Sequence, residues 1–67
     1  MNLTPKGFNA YPYEYHQELI LEIENITNLG YGIARDNDWV IQVAFVLPGE
    51  KVRVQIFRNH KNYSEAD

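Results

Sequence analysis

The two glycines that flank Tyr31, in the stretch NLGYGIAR at residues 28–35, have the spacing that begins a phosphate-binding motif. A dinucleotide-binding loop requires G-x-G-x-x-G after a strand and before a helix. Here Arg35 stands at the third glycine position, and a turn followed by an apolar strand pattern takes the place of the helix. We therefore interpret Gly30 and Gly32 as a bulge or barrel corner, with Tyr31 held outward on the bend.

A calcium site is the second chemistry that residue spacing suggests. Asp36, Asn37 and Asp38 begin like an EF-hand loop, but such a loop also needs glycine at its sixth position and glutamate at its twelfth. Those positions hold Ile41 and Leu47. The three polar residues instead predict a tight turn.

Acid–base and nucleophilic catalysis have no better support. Glu22 and Glu24 alternate on the solvent face of one predicted strand, without a pocket around them. His16 and His60 are far apart in the sequence, and the chain contains no cysteine. We expect no catalytic residue and no metal ligand in this chain, so it is not predicted to be an enzyme by itself.

The charge distribution gives the strongest functional signal. Residues 1–34 carry one cation and four acids, and residues 35–67 carry five of each, so the net charge of −3 comes from the first half. Residues 51–63, which we call the basic segment, hold four cations and His60 without any acid. The overall acidity therefore conceals a local basic region.

Alternation within the basic segment puts cations and an aromatic ring on one strand face. Cations that meet phosphates and rings that stack on unpaired bases are the combination that binds flexible RNA. We predict an RNA-binding surface whose residues are Tyr31, Arg35, Lys51, Arg53, Phe57, Arg58 and Lys61. Tyr31, Arg35 and Trp39 would extend the basic strand into a wider surface if the second and third predicted strands flanked it. The alternative is an ordinary solvated strand face, with Phe57 covered and Trp39 in the core.

The elements that must position these residues are predicted to be short strands. Apolar residues recur with period two or in short runs, separated by Gly, Pro, Asn and Asp turns, and no helical period of useful length is present. The predicted strands cover residues 18–27, 31–35, 39–46 and 50–57, and the terminal YSEAD begins a fifth. This pattern indicates an all-β fold, a small five-stranded antiparallel barrel that is OB-fold-like.

The chain divides into a leader, residues 1–17, and the barrel, residues 18–67. The leader mixes prolines and glycine with four aromatic residues, which fits either an apolar strap over the barrel or a mobile, partly flexible segment. With 67 residues the chain can bury one small core. It shows no signal peptide and no apolar run of membrane-spanning length, so we expect a cytoplasmic location and no membrane partner.

Four motifs follow one another along the second half of the chain. They are Gly30-x-Gly32-x-Ala34-Arg35, Val43 in an apolar strand, Leu47-Pro48-Gly49-Glu50-x-Val52, and the tail Lys61-Asn62-Tyr63-Ser64-Glu65-Ala66. In this order and spacing they resemble a TRAM domain, the module found at the front of uracil-5 RNA methyltransferases and at the back of radical-type methylthiotransferases. Gln42 and Ala44 depart from the family pattern near the end of the third predicted strand.

The resemblance implies a noncatalytic domain that presents rRNA or tRNA to a catalytic domain downstream in a longer protein, most similar to a uracil-5 methyltransferase. S-adenosylmethionine, and any iron–sulfur cluster, would then bind in that parent protein. RNA binding is expected to be weak and salt-sensitive, and the domain is expected to be a monomer. The alternative is a protein-interaction or structural module that braces a neighbouring domain.

Overall fold

The computed structural model describes residues 7–9 and 11–67, and every regular element in that part of the chain is a strand. No helix among these residues is long and apolar enough to cross a membrane. The strands are β1 (Glu18–Glu22), β2 (Asn25–Ile26), β3 (Gly32–Asp36), β4 (Trp39–Val43), β5 (Lys51–Asn59) and β6 (Tyr63–Ala66).

The sheet curls so far that the strands at its two edges, β1 and β2, are consecutive segments of the chain. Its order is β1-β5-β6-β4-β3-β2, and β1 and β2 are separated only by Ile23 and Glu24. The Ile23 amide donates to the Glu50 carbonyl at 2.8 Å, whereas the Glu24 amide donates to the Ile33 carbonyl at 2.8 Å. The stretch therefore changes partner from β5 to β3 at this point, and the predicted all-β, OB-fold-like barrel is confirmed.

Two details of the predicted barrel are wrong. The first strand is divided into β1 and β2, because it changes partner midway. The sheet is also not wholly antiparallel, since β4 and β6 pair in parallel, from Val40 opposite Tyr63 to Val43 opposite Ala66. Period-two patterning reports which face of a strand is buried and carries no information about the direction of its neighbour.

The core lies between the inward faces of the strands. Buried residues alternate with half-buried or exposed ones along β1, β3, β4 and β5, and the period-two pattern predicted this alternation for β1 and β5. The Trp39 side chain packs against this core, and its Nε1 donates to Ser64 Oγ at 2.9 Å. The expectation that Trp39 extends the RNA-binding surface is therefore wrong, and the alternative position in the core is the one observed. The buried apolar residues are Tyr13, Leu21, Ile23, Ala34, Ile41, Val43, Val54, Ile56 and Ala66.

The turns follow from local backbone requirements. Asn37 and Asp38 join β3 to β4 with φ values of 49° and 68°, the two left-handed residues of a type I′ hairpin, which confirms the predicted tight turn. Strand β4 ends at Val43 rather than continuing to residue 46, because Phe45 has a φ of 60° and cannot continue the ladder.

Gly30 and Gly32 bend the chain for two different reasons. Gly30 has a φ of 87°, which glycine adopts without steric cost. At Gly32 a Cβ atom would stand 2.2 Å from Val46 Cγ2, so only glycine lets the loop after β4 pack over the start of β3. The pair is thus a structural corner, and Tyr31 between its two members is 37% exposed.

The end of the leader packs against the barrel. Tyr13 is 6% exposed within the core, and its hydroxyl donates to Asp36 Oδ2 at 2.7 Å. The pKa of Tyr13 is raised well above its usual value. Burial is the largest cause, and the hydrogen bond to Asp36 and the negative charge of that carboxylate add to it. The His16 amide donates to the Ile56 carbonyl at 2.7 Å, so the contact with β5 extends to residues that precede β1.

A buried polar network joins the leader to the last two strands. Asn59, 6% exposed, donates through Nδ2 to the carbonyls of Asn9, at 2.6 Å, and Tyr13, at 2.7 Å. Its Oδ1 accepts a hydrogen bond from Ser64 Oγ, which also accepts from Trp39. One asparagine side chain therefore links the leader, β5, β6 and the start of β4.

Candidate nucleic-acid interface

Strand β5 presents the first part of the basic segment on the outside of the barrel. Lys51 and Arg53 are exposed, whereas Val52 between them is half-buried and Val54 and Ile56 after them are buried. Lys51 lies opposite Glu22 of β1, and Arg53 lies opposite the exposed Ile20. The two cations therefore form the basic side of a mixed-charge face.

A β-bulge at Phe57 changes the alternation further along β5. Ile56 pairs with Ala66 and Arg58 with Glu65, so Phe57 is the extra residue. Phe57 is half-buried, whereas Arg58 stays exposed and Asn59 turns inward. Strict alternation would have placed Arg58 inside the barrel and Asn59 outside.

The loop after β5 adds a pair of stacked rings beside two exposed cations. The rings of His60 and Tyr63 stack with centroids 4.4 Å apart and planes inclined by 19°. His60 Nε2 lies 2.6 Å from Glu65 Oε2, which holds the imidazole in place. Arg58 and Lys61 are exposed next to these rings in the chain, so this end of the basic segment combines charge with flat apolar surface.

The structure separates Tyr31 and Arg35 from the basic strand. They lie before and within β3, whose neighbours are β2 and β4, whereas β5 lies between β1 and β6. Arg35 Nε is 3.4 Å from Glu24 Oε1 in an exposed ion pair. The expectation that the strand of Tyr31 and Arg35 flanks the basic strand is therefore wrong, because barrel closure inserts the first strand between them.

An acidic stripe occupies the strand between these two groups of cations. Glu18 and Glu22 are exposed on β1, and the exposed Glu24 follows them. Among residues 7–9 and 11–67 the ion pairs are Arg35–Glu24 and His60–Glu65. The four cations of the basic segment accordingly keep their charges available to another partner, although the nearby carboxylates lower the local positive potential.

The described residues offer little for a cofactor. A shallow depression on the β1/β5 face is lined by Glu18, Leu19, Ile20 and Arg53 and is open to solvent. Within residues 7–9 and 11–67, no three His, Cys, Asp or Glu side chains are grouped so that they could hold a metal ion.

Two residues that anchor the leader were not predicted from the sequence. Asn59 and Ser64 are buried and hydrogen-bonded to each other, but Asn59 was not singled out, and Ser64 was named only as part of the tail that resembles the family. One signal was present in the sequence: strict alternation after Val54 and Ile56 would bury Arg58, and an unpaired charge is rarely buried. That conflict indicates a bulge before Arg58 and an inward Asn59.

Comparison with known proteins adds a family and two relatives. The family model described as TRAM domain matches residues 16–67. The chain is 39% identical over 62 residues to the 23S rRNA (uracil(1939)-C(5))-methyltransferase RlmD of Shewanella woodyi, a match that covers 88% of this chain and 14% of that protein. RlmD of Shewanella amazonensis is 38% identical over 50 residues, covering 75% and 11%. The chain thus spans a small part of the length of these relatives.

The fold also has a counterpart among solved structures. The solution structure of a conserved protein of Methanococcus maripaludis superposes with a TM-score of 0.77 at 24% identity. The similarity covers 98% of this chain and 94% of that one. At this level of identity it supports the fold alone.

Proposed function

This chain belongs to the TRAM domain family, and from that premise we propose that it is the RNA-binding domain of an rRNA uracil-5 methyltransferase. The observation that carries the proposal is the exposed basic segment on β5 and the loop after it. Lys51 and Arg53 point outward from the strand, and Arg58 and Lys61 flank the stacked rings of His60 and Tyr63.

The two parts of the basic segment suit different parts of an RNA strand. Lysine and arginine attract phosphates irrespective of sequence. Exposed ring faces stack on unpaired bases, each worth about 1 to 3 kcal/mol. Phe57, His60 and Tyr63 are all half-buried, but the His60–Tyr63 pair lies beside the exposed Arg58 and Lys61, so we take this pair as the stacking surface. Tyr31 and Arg35 lie beyond the acidic stripe and would contact RNA only as a separate patch.

The proposal predicts weak, salt-sensitive binding that serves a catalytic domain elsewhere in the parent protein. With about three to five phosphate contacts, the slope of log affinity on log salt for single-stranded RNA should be roughly −2 to −3.5. Weak binding suffices when a second domain holds the same RNA, because the effective concentration is then high.

The methyl transfer itself is proposed for the rest of the parent polypeptide. The relatives are named as methyltransferases, and the matched segment is 14% of the S. woodyi protein. S-adenosylmethionine, which would supply the methyl group, is proposed to bind there too, and the depression on β1 and β5, which is open to solvent, agrees with this proposal.

A titration with labelled single-stranded RNA, followed by amide chemical shifts, tests the RNA proposal. We expect shifts at Lys51, Arg53 and the residues of the loop after β5, and at least about a tenfold loss of affinity in Arg53→Glu. Arg35→Glu is the matched control, since it changes the net charge equally on a strand that does not neighbour β5. Equal losses in both variants, or no shift along β5 at millimolar RNA, would contradict the proposed site.

A further inference from the structure

Large apolar side chains are exposed at one end of the barrel. This open end consists of residues 27–31, between β2 and β3, and residues 44–50, between β4 and β5. Both loops leave the barrel where β3 starts and β4 ends, and Val46 packs over Gly32 to hold them together. The exposed fractions are 83% for Leu29, 101% for Phe45, 67% for Leu47 and 37% for Tyr31.

Phe45 is the most unusual member of this end. Its side chain is fully exposed, and its φ of 60° is a conformation that non-glycine residues rarely adopt. An aromatic residue in that position gains nothing from the fold of this domain. Exposed apolar residues clustered on adjacent loops mark surfaces that are covered in the functional state.

The charges around the open end disfavour RNA as the covering partner. Residues 27–31 and 44–50 contain no Lys or Arg and one acid, Glu50. At the adjoining strand ends Glu22 lies opposite Lys51, and Glu24 is ion-paired with Arg35, so these charges offset each other. The open end therefore offers a phosphate backbone no uncompensated cation, whereas a protein surface with an apolar centre and a basic residue to meet Glu50 would be complementary.

The topology places the last residues of the chain beside the same end. Strand β6 runs parallel to β4, and Ala66 lies opposite Val43 at the point where β4 enters the 44–50 loop. In a longer polypeptide, the segment after residue 67 would start next to the open end. In the S. woodyi relative, most of the protein lies outside the matched segment.

We propose that the open end docks onto a neighbouring domain of the parent polypeptide, through an apolar surface flanked by lysine or arginine on that domain. Phe45 and Leu47 are the central contacts, with Leu29 beside them. This inference rests on the proposal that the chain is one domain of a larger enzyme, and it is independent of RNA binding. The barrel thus has a protein-binding end and a separate basic face on β5.

A full-length chimera tests the docking. The matched segment of S. woodyi RlmD is replaced by this chain, and hydrogen exchange of residues 44–50 is measured by mass spectrometry in the chimera and in the 67-residue chain. We expect exchange at least about tenfold slower in the chimera. Phe45→Ser combined with Leu47→Ser should abolish that difference. The control Ile20→Ser, at another exposed apolar residue, should preserve it.

Several outcomes would overturn the inference. Exchange of residues 44–50 that is equal or faster in the chimera than in the 67-residue chain would show that the open end is not covered there. A dimer of the 67-residue chain that Phe45→Ser dissociates would assign the open end to a second copy. Loss of RNA affinity in the Phe45→Ser, Leu47→Ser variant would assign it to nucleic acid. If Arg53→Glu loses RNA affinity while the loops stay protected in the chimera, both proposals are supported separately.

Discussion

Replacing Asn59 by alanine should destabilise the domain more than any exposed substitution, because one side chain holds the leader to the barrel. Asn59 Nδ2 donates to two leader carbonyls, and Oδ1 accepts from Ser64. Alanine removes all three hydrogen bonds. The Tyr13 carbonyl and the Ser64 hydroxyl would then remain inside the protein with fewer partners.

The expected magnitude follows from the number of buried groups that lose a partner. Each buried polar group left unsatisfied costs about 1 to 3 kcal/mol. With the Asn9 carbonyl free to bind water, two such groups give about 2 to 6 kcal/mol. A chain of 67 residues has an unfolding entropy of about 0.14 kcal/mol/K, so the midpoint should fall by about 15 to 40 °C.

Thermal unfolding followed by circular dichroism measures this change, with the fluorescence of Trp39 as a second probe. Trp39 is the single tryptophan and donates to Ser64 in the same network, so its emission should change as well. Asn62→Ala is the control, because Asn62 is exposed in the neighbouring loop. If Asn59→Ala unfolds within about 3 °C of the unmodified chain, as Asn62→Ala should, the leader is not held by this network.

Three further predictions concern the corner, the buried tyrosine and the hairpin. Gly32→Ala places a Cβ 2.2 Å from Val46 Cγ2 and should cost about 1 to 3 kcal/mol in urea unfolding, part of which a second change, Val46→Ala, restores. Folding raises the pKa of Tyr13 above its ordinary value of 10.0, so the stability that this tyrosine contributes is complete below about pH 10 and is lost as the pH rises further. Tyr13→Phe should therefore reduce the pH dependence of the free energy of unfolding, measured between pH 8 and 11. Asp38→Gly relieves a φ of 68° and should raise the melting temperature by a few degrees, and an unchanged or lower midpoint would contradict the strain argument.

Much of the fold could be predicted because its signals are local. The alternation of Val52, Val54 and Ile56 with polar residues predicted a half-buried strand, and the structure has those residues facing inward. The Asn37–Asp38 turn was predicted from residue types that tolerate left-handed backbone. The glycine corner, the Leu-Pro-Gly-Glu turn and the tail indicated the family that the matched model bears out.

The candidate site was less predictable because it depends on which strands become neighbours. Nothing in the strand of Arg35 shows that the first strand would lie between it and β5. The bulge at Phe57 changes the phase of β5 and exchanges the faces of Arg58 and Asn59. The composition of the leader fitted either a strap packed on the barrel or a mobile segment. The contacts of Tyr13 and Asn59 show that its last residues pack against the barrel.

The order of residues alone is enough to predict short strands with tight turns, the position of their apolar faces, and the concentration of cations in residues 51–63. These properties depend on backbone preferences and on side chains a few residues apart. Three arrangements became visible only in the folded chain: β6 lies between β4 and β5, parallel to β4 and antiparallel to β5, Arg35 faces an acidic stripe, and Phe45 and Leu47 share one open end. These arrangements arise when the sheet closes and brings distant segments together, and closure depends on how the whole set of strands packs around one core.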